Sequence, residues 1–242
     1  MTTLIVGASG ATGRLLVEQL LDRQQQVKVI VRSPVKLSTT VKKHPNLVII
    51  HANVLDLGDT EMRDYVKGCD AVASCLGHNL TFQGVFGKPR RLVTDATRRL
   101  CSAIRANQPA SPVKYVLMNT TGNRNRNIHE SVSFGEKIAM GLLRLLIPPQ
   151  GDNEKAADYL RLQNGRNDET IEWVAVRPDT LINEDEVTDY SLHPSPTRSA
   201  LFNPGQTSRI NVAHFMADLI SDDDIWTKWK GQMPVIYNEP VD

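Results

Sequence analysis

The sequence predicts an α/β fold, a doubly wound parallel sheet with helices on both faces. Three observations support this prediction: short apolar strands alternate with helical stretches, a glycine-rich turn joins the first strand to the first helix, and no repeat or linker marks off a second unit. Strands that are separated by helices pair in parallel, and such sheets are covered on both faces. We therefore predict a single domain over residues 1–242, with its ligands at the carboxyl ends of the strands.

The first strands and helix form a βαβ unit. Leu4-Ile5-Val6 is a short apolar run, and leucines at positions 15, 16, 20 and 21 then recur at helical spacing up to a run of three glutamines. The next β-branched run extends from Val27 to Val31. Because the helix leaves no room for a hairpin, the two strands must be parallel and joined by a right-handed crossover.

The same alternation continues along the chain. Further strands are predicted at residues 47–50, 71–75, 115–118 and 173–176. A helix is predicted at residues 91–106, where four apolar side chains share one face: Leu92, Ala96, Leu100 and Ile104.

Three stretches interrupt the alternation, at residues 78–89, 119–133 and 183–208. Each stretch follows a predicted strand, so loops there would overhang the ligand crevice. The last stretch is rich in Pro, Ser, Thr and Asn, and we interpret residues 183–208 as a candidate lid. Ordinary surface loops are the alternative for all three.

Composition limits the classes of partner. With 242 residues, 40% of them hydrophobic, the chain can bury a core, and its net charge of +1 creates no global field that attracts nucleic acid or an anionic membrane. Its three cysteines lack metal-ligand spacing and are interpreted as reduced thiols. No signal peptide fits before the first strand. We expect a soluble, cytoplasmic monomer or homodimer without a metal, whose partner is a small-molecule substrate.

Basic residues cluster around the start of the predicted helix at 91–106. The cluster comprises Lys88, Arg90, Arg91, Arg98 and Arg99. It contains no interleaved aromatic residues of the kind that stack on nucleic-acid bases. We interpret it as a solvated helix face; attraction of an acidic substrate or a phosphate is the alternative.

The turn after the first strand carries the strongest functional signal. Gly7, Gly10 and Gly13 are spaced as GxxGxxG directly between a strand and a helix. Gly7 permits a sharp turn, Gly10 lets a pyrophosphate approach the backbone, and Gly13 lets the helix pack close to the sheet. The helix N-terminus offers N–H groups and a partial positive charge to phosphates. The turn therefore predicts a Rossmann-type dinucleotide site; a glycine turn without a ligand is the alternative.

The end of the second strand indicates which dinucleotide binds. NAD-binding units usually place an acidic residue there to accept hydrogen bonds from the ribose, but this strand ends in Val31-Arg32-Ser33. Arg32 can pair with a 2′-phosphate through a charge-assisted contact, and Ser33 is a further donor. The predicted cofactor is NADP(H); a solvated arginine at a strand end is the alternative.

These residues make the sequence resemble the atypical short-chain dehydrogenase/reductases, in particular the NAD(P)H-binding group that includes biliverdin IXβ/flavin reductase and the NmrA-like proteins. The resemblance covers nearly the whole chain. Its marks are VGASGATGR at residues 6–14, Val31-Arg32, Asn53-Val54 with Asp56, Asp70-Ala71-Val72 leading to Cys75-Leu76-Gly77, and Val176-Arg177-Pro178. These marks are specific to the group and not to a substrate.

The resemblance implies roles for individual residues. The pyrophosphate would be held by Gly7, Ser9, Gly10, Ala11, Thr12 and Gly13, and the 2′-phosphate by Arg32. Asn53 and Val54 resemble the adenine contacts, although the family more often has aspartate in place of Asn53. Leu76 and Gly77 would line the path of the ribose and phosphates. Thr120 resembles the active-site serine after the fifth strand, so its hydroxyl would serve the nicotinamide or a substrate carbonyl.

The sequence departs from the wider superfamily at the catalytic tyrosine. Dehydrogenases of that superfamily use a Tyr-x-x-x-Lys pair, in which the lysine lowers the pKa of the tyrosine. The corresponding segment, residues 150–159, has no such pair: Tyr159 is followed four residues later by Gln163, and Lys155 precedes it. We interpret Tyr159 as a packing residue. His78 and Asp179 are alternative proton carriers, Asp179 only if its pKa is raised.

These expectations lead to one main hypothesis and two alternatives. The main hypothesis is an NADPH-dependent reductase that delivers hydride to a planar acceptor such as a flavin, quinone or tetrapyrrole, which can take its proton from water. One alternative is a redox-sensing regulator that binds the dinucleotide without turnover. The other is an epimerase or dehydratase acting on a nucleotide-linked sugar, which the missing tyrosine disfavours.

Overall fold

A computed structural model describes residues 1–77, 89–128, 130, 148–165 and 168–239. The strands in this part of the chain are β1 (Thr2–Val6), β2 (Gln26–Val31), β3 (Leu47–His51), β4 (Ala71–Ser74), β5 (Val113–Met118), β6 (Ile171–Pro178), β7 (Thr180–Ile182), β8 (Tyr190–His193), β9 (Gln206–Ser208) and β10 (Val235–Asn238). The helices are α1 (Ala11–Asp22), α2 (Thr39–Lys42), α3 (Asp59–Val66), α4 (Leu92–Ala106), α5 (Pro148–Tyr159), α6 (Arg209–Ser221) and α7 (Asp223–Trp229), and a π-helical turn, Leu160–Asn164, extends α5.

The strands form a main sheet in the order β3-β2-β1-β4-β5-β6-β10-β8. Neighbouring strands pair in parallel throughout, except that β8 pairs antiparallel with β10 at the edge. The predicted doubly wound α/β fold is therefore confirmed, and all six strands predicted from the sequence are present within three residues of their predicted ends.

Each face of the sheet carries its own hydrophobic core. Alternating side chains of one strand enter opposite cores, as Ile5 and Leu4 of β1 do. Helices α1, α6 and α7 cover one face, and α3, α4 and α5 cover the other. The helical face predicted for α4 is confirmed, because Ala96, Leu100 and Ile104 are buried in the second core.

The candidate lid, residues 183–208, contains more regular structure than the sequence indicated. It supplies β8 to the edge of the main sheet and β9 to a small parallel pair with β7. The interpretation of this whole stretch as a loop was wrong, because both strands depend on partners that are distant in the sequence. Whether the segment moves as a lid stays a prediction.

Candidate functional site

The order of the strands places the switch point of the sheet between β1 and β4. The chain leaves β1 toward β2 and β3 on one side and then crosses to β4 on the other, so that the helices after β1 and β4 lie on opposite faces of the sheet. Doubly wound sheets bind ligands at such a switch point, beyond the carboxyl ends of the strands. The glycine-rich turn follows β1 directly and therefore lies at this point.

Gly7 fixes how closely this turn approaches β4. Its φ of +78° is in the left-handed region, which side chains with a Cβ disfavour. A Cβ at this position would lie 2.5 Å from the carbonyl carbon and oxygen of Cys75 and 2.7 Å from the amide nitrogen of Leu76. The absence of a side chain at Gly7 therefore lets the backbone of Leu76 lie against the turn, as the assignment of Leu76 and Gly77 to the phosphate path requires.

The other two glycines have different surroundings. A Cβ on Gly13 would lie 2.9 Å from the carbonyl carbon of Gly7 and would overlap the carbonyl oxygen, so α1 packs on the turn itself. A Cβ on Gly10 would contact two of the described atoms, the carbonyl oxygen of Gly7 at 3.1 Å and the carbonyl oxygen of Cys75 at 4.0 Å. Gly13 is thus required by packing, whereas Gly10 leaves room above the turn.

The N-terminus of α1 is suited to an anion. Gly10 occupies the N-cap position, no side chain caps it, and the first turn contains no acidic residue. Ser9 is half-buried beside it, Ala11 is exposed, and Thr12 is buried. The N–H groups of the first helical turn, together with the helix dipole, favour negative charge at this position.

Arg32 and Ser33 follow β2, which is the next strand beside β1. Both residues are exposed, and the Ser33 hydroxyl accepts a hydrogen bond of 3.4 Å from the amide of Val35. Within the described ranges, Arg32 forms no ion pair or hydrogen bond with another side chain. Its guanidinium is therefore available to an anionic ligand, as a contact with a 2′-phosphate requires.

Asn53 and Val54 follow β3, on the far side of β2 from the glycine turn. The Asn53 side chain donates to Asp56 Oδ2 at 3.0 Å, and its Oδ1 accepts from the amide of Leu55 at 3.4 Å. The Val54 side chain is buried in the second core. The loop is therefore held by the hydrogen bonds of the Asn53 side chain and by the burial of the Val54 side chain in the core.

Thr120 lies just after β5, two strands from the glycine turn. Its amide donates to Asn119 Oδ1 at 2.8 Å, and its hydroxyl oxygen accepts from the amide of Gly122 at 3.3 Å. The Asn119 side chain also accepts from the Asn123 side chain and donates to the carbonyl of Asn153 at 3.1 Å. This network ties the loop to α5 and leaves the Thr120 hydroxyl proton free to donate.

Asp179 lies beside this loop, directly after β6. Burial raises the pKa of Asp179 above its ordinary value. The amides of Gly205 and Thr180, the Thr121 side chain and the charge of Arg198 oppose that rise, the Gly205 amide donating to Asp179 Oδ2 at 3.0 Å. The raised pKa meets the condition that the sequence analysis set for a proton carrier.

Tyr159 lies at the C-terminal end of α5 and packs against the second core. The Arg98 guanidinium carbon lies 5.6 Å from the centre of its ring, within the range of a cation–π contact. The ring therefore packs between the end of its own helix and Arg98 of α4.

His78 and Asn79, which follow β4, lie outside the described residues, as does Lys88 of the basic cluster.

A buried arginine organises the loops around β6, and sequence reasoning did not assign it a role. Arg177 donates to the carbonyl oxygens of Met233 at 2.7 Å, Asn123 at 2.8 Å and Pro194 at 3.2 Å. It also forms an ion pair of 2.8 Å with Glu130, whose side chain is buried as well. The Val-Arg-Pro mark was a signal for this residue, but nothing in the sequence pointed to Glu130.

The described residues fit a dinucleotide. Cβ atoms at Gly7 and Gly13 would collide with the backbone of the turn and of Cys75, so only glycine fits there. The N-cap residue of α1, Gly10, has no side chain to cap the helix, and Arg32 is unpaired in the described ranges. These features lie at the ends of adjacent strands. No group of three or more His, Cys, Asp or Glu residues is placed to hold a metal in the part of the chain that the structure describes.

The sequence profile of a family described as NAD(P)H-binding matches residues 7–223. The chain belongs to this family. The predicted resemblance to the NAD(P)H-binding group of atypical short-chain dehydrogenase/reductases is thereby confirmed. In the described ranges, no helix of this family member has both the length and the apolar character to cross a membrane.

Comparison with individual proteins adds a shared fold. An uncharacterized chloroplast protein of Arabidopsis thaliana is 44% identical over 52 residues, which are 22% of this chain and 19% of that relative. A short-chain dehydrogenase/reductase from Veillonella parvula in complex with NADP superposes with a TM-score of 0.68 at 15% identity, covering 99% of this chain and 94% of that one. A proposed NADH-flavin reductase from Streptococcus pneumoniae superposes with a TM-score of 0.65 at 17% identity, covering 99% and 100%.

Proposed function

We propose that this family member is an NADPH-dependent reductase that transfers hydride to a planar acceptor such as a flavin, a quinone or a tetrapyrrole. One observation carries the proposal. The ends of β1 and β2 present the N-terminus of α1 and the exposed Arg32, which has no side-chain partner among the described residues, while the ends of β5 and β6 present Thr120 and Asp179 in place of a Tyr-x-x-x-Lys pair. These features favour the binding of a phosphorylated nucleotide and support a hydride transfer that needs little acid–base catalysis by the protein.

The preference for NADPH rests on Arg32 and Ser33. The 2′-phosphate carries negative charge that the exposed guanidinium of Arg32 can bind through two parallel hydrogen bonds. No carboxylate stands at the end of β2 to accept ribose hydroxyls or to repel the phosphate.

The chemistry divides between the cofactor and the chain. When bound, NADPH supplies the hydride, and the protein supplies orientation and electrostatics. The Thr120 hydroxyl donates a hydrogen bond to the nicotinamide or to a carbonyl of the acceptor, because its oxygen is already fixed by the Gly122 amide. Burial raises the pKa of Asp179 and so favours its protonated form, which can donate to the acceptor. Acceptors that draw their proton from water need no stronger acid.

The test is NADPH oxidation by the purified protein, followed by absorbance, with FMN, a soluble quinone and a linear tetrapyrrole as separate acceptors. We expect turnover with at least one of them and slower turnover with NADH. Tight binding of both NADP⁺ and NADPH with no turnover on this panel would contradict the reductase proposal and favour the redox-sensing regulator. Turnover of a nucleotide-linked sugar in the absence of these acceptors would favour the epimerase.

A further inference from the structure

Arg99 of α4 lies against the loop that follows β3, although the sequence analysis placed it on a solvated helix face. One terminal nitrogen, Nη1, donates to the carbonyl oxygens of Val54 at 3.2 Å and Leu55 at 2.6 Å. The other, Nη2, donates to the carbonyl oxygen of Leu57. Three main-chain carbonyls of one loop therefore converge on a single guanidinium.

The guanidinium is directed at the loop backbone more than at a counter-charge. Its carboxylate neighbour, Asp59 Oδ1, lies 3.4 Å away on a fully exposed side chain. Ion pairs with exposed groups contribute little, because water screens them. Hydrogen bonds from a charged donor to carbonyl oxygens are stronger than neutral ones, and a planar guanidinium can satisfy several acceptors at once.

The place of this loop in the fold gives the contact a functional meaning. The glycine turn follows β1, Arg32 follows β2, and Asn53 with Val54 follows β3, so the three groups stand in a row along the strand ends. A nucleotide with its pyrophosphate on the turn and its 2′-phosphate at Arg32 would place its base at Asn53 and Val54. The conformation of residues 53–57 then determines how well the adenine base fits against Asn53 and Val54.

We propose that Arg99 is a positioning residue for the adenine half of the cofactor, acting through the main chain of residues 53–57. The inference rests on the proposed function in taking NADPH as the ligand, with its pyrophosphate on the glycine turn and its adenine at Asn53 and Val54. It does not require hydride transfer, and it holds whether the protein reduces an acceptor or binds the dinucleotide without turnover.

The test compares three variants in their affinity for 2′,5′-ADP, which is the adenine half of NADPH, by calorimetry. Arg99→Ala is expected to weaken binding about ten-fold or more, because hydrogen bonds from a charged donor, which are stronger than neutral ones, hold the loop. Arg99→Lys should recover part of this loss, since an ammonium can donate to fewer of the carbonyls. Arg98→Ala, on the next residue of α4, is the matched control and should bind as the wild type does.

Hydrogen exchange of the same proteins separates positioning from general destabilisation. In Arg99→Ala, amides of residues 53–57 should exchange faster while those of residues 7–13 keep their protection. If Arg99→Ala fails to fold, the partial loss of 2′,5′-ADP affinity in Arg99→Lys tests the proposal in its place. Unchanged affinity in the Arg99 variants, equal losses in Arg98→Ala, or faster exchange in both segments would overturn the proposal. An absence of NADPH oxidation would count against the reductase and not against Arg99.

Discussion

The ends of β1 and β2 and the ends of β5 and β6 are ordered in different ways. The first region, which we call the nucleotide end, depends on main-chain geometry: Gly7 and Gly13 allow backbones to touch, and α1 begins without a cap. The second, the substrate end, depends on side chains that join distant segments, above all the Arg177–Glu130 ion pair. Substitutions at the two ends should therefore fail differently, by loss of binding at one and by loss of stability at the other.

The largest effect on binding is expected for Gly10→Val at the nucleotide end. Gly10 has φ −75° and ψ 167°, an extended conformation that valine adopts readily. Among the described atoms, its Cβ would meet the carbonyl oxygen of Gly7 at 3.1 Å and that of Cys75 at 4.0 Å. The fold should survive, while the branched side chain occupies the space that a pyrophosphate needs. We expect no measurable NADPH binding by calorimetry and a circular dichroism spectrum close to that of the wild type.

Gly13→Val is the matched control for this prediction. Its Cβ would overlap the Gly7 carbonyl oxygen, so the turn and α1 must separate. This variant should lose thermal stability as well as binding. If Gly10→Val bound NADPH with unchanged affinity, the glycine turn would have a structural role alone, and the assignment of the nucleotide end would be wrong.

The substrate end should show its largest effect on stability in Glu130→Gln. Both partners of the ion pair are buried, with 0% and 3% of their side chains exposed for Arg177 and Glu130. Removing the carboxylate leaves a buried guanidinium without its counter-charge, which costs ~3–5 kcal/mol. Urea unfolding measures this loss. Asp59→Asn, which alters a fully exposed partner of Arg99, should leave the stability close to that of the wild type, because water screens such a pair.

The comparison also explains what could be predicted from the sequence. The glycine turn and the α4 face were predictable, because they depend on residue types at short spacing. Strands β8 and β9 were not, since each is stabilised by pairing with a segment far away in the chain. Arg99 was misassigned for the same reason: its partners are carbonyl groups, which no residue type in the sequence reveals. Long-range contacts, at the substrate end and at residues 53–57 alike, are thus what residue types at short spacing do not reveal.

A smaller effect is expected for Arg32→Ala, which tests the choice of cofactor at the nucleotide end. A charge-assisted contact with the 2′-phosphate contributes ~1.5–3 kcal/mol, or roughly ten- to a hundred-fold in affinity. The variant should lose this factor for NADPH and keep its affinity for NADH, because NADH lacks the phosphate. Calorimetric titrations with both cofactors measure the difference. Equal losses for the two cofactors would remove the assignment of Arg32.

The smallest effect is expected for Tyr159→Phe. The partly buried tyrosine ring packs against the second core beneath Arg98, and a phenylalanine ring can keep both contacts while it loses the hydroxyl's hydrogen bond with Arg105. Any reductase activity should fall by less than about ten-fold, whereas loss of a general acid typically costs ~100- to 10,000-fold. Steady-state turnover at saturating NADPH, with thermal melts as a check on folding, measures this. A hundred-fold decrease with intact fold and cofactor affinity would restore a tyrosine mechanism.

Thr120→Val and Asp179→Asn are the contrasting variants, and at least one of them should lower turnover more than Tyr159→Phe does.

The pH dependence of turnover shows whether Asp179 donates the proton. Burial raises the pKa of Asp179, so the protonated carboxyl persists to higher pH than in a free aspartate. If this group donates the proton, wild-type turnover falls as the pH rises through the raised pKa, because the donor form is lost. Asp179→Asn should remove that decrease, since an amide does not titrate in this range. Thr120→Val should lower turnover at every pH and leave the profile unchanged. A pH profile that survives in Asp179→Asn would exclude Asp179 and leave water as the source of the proton.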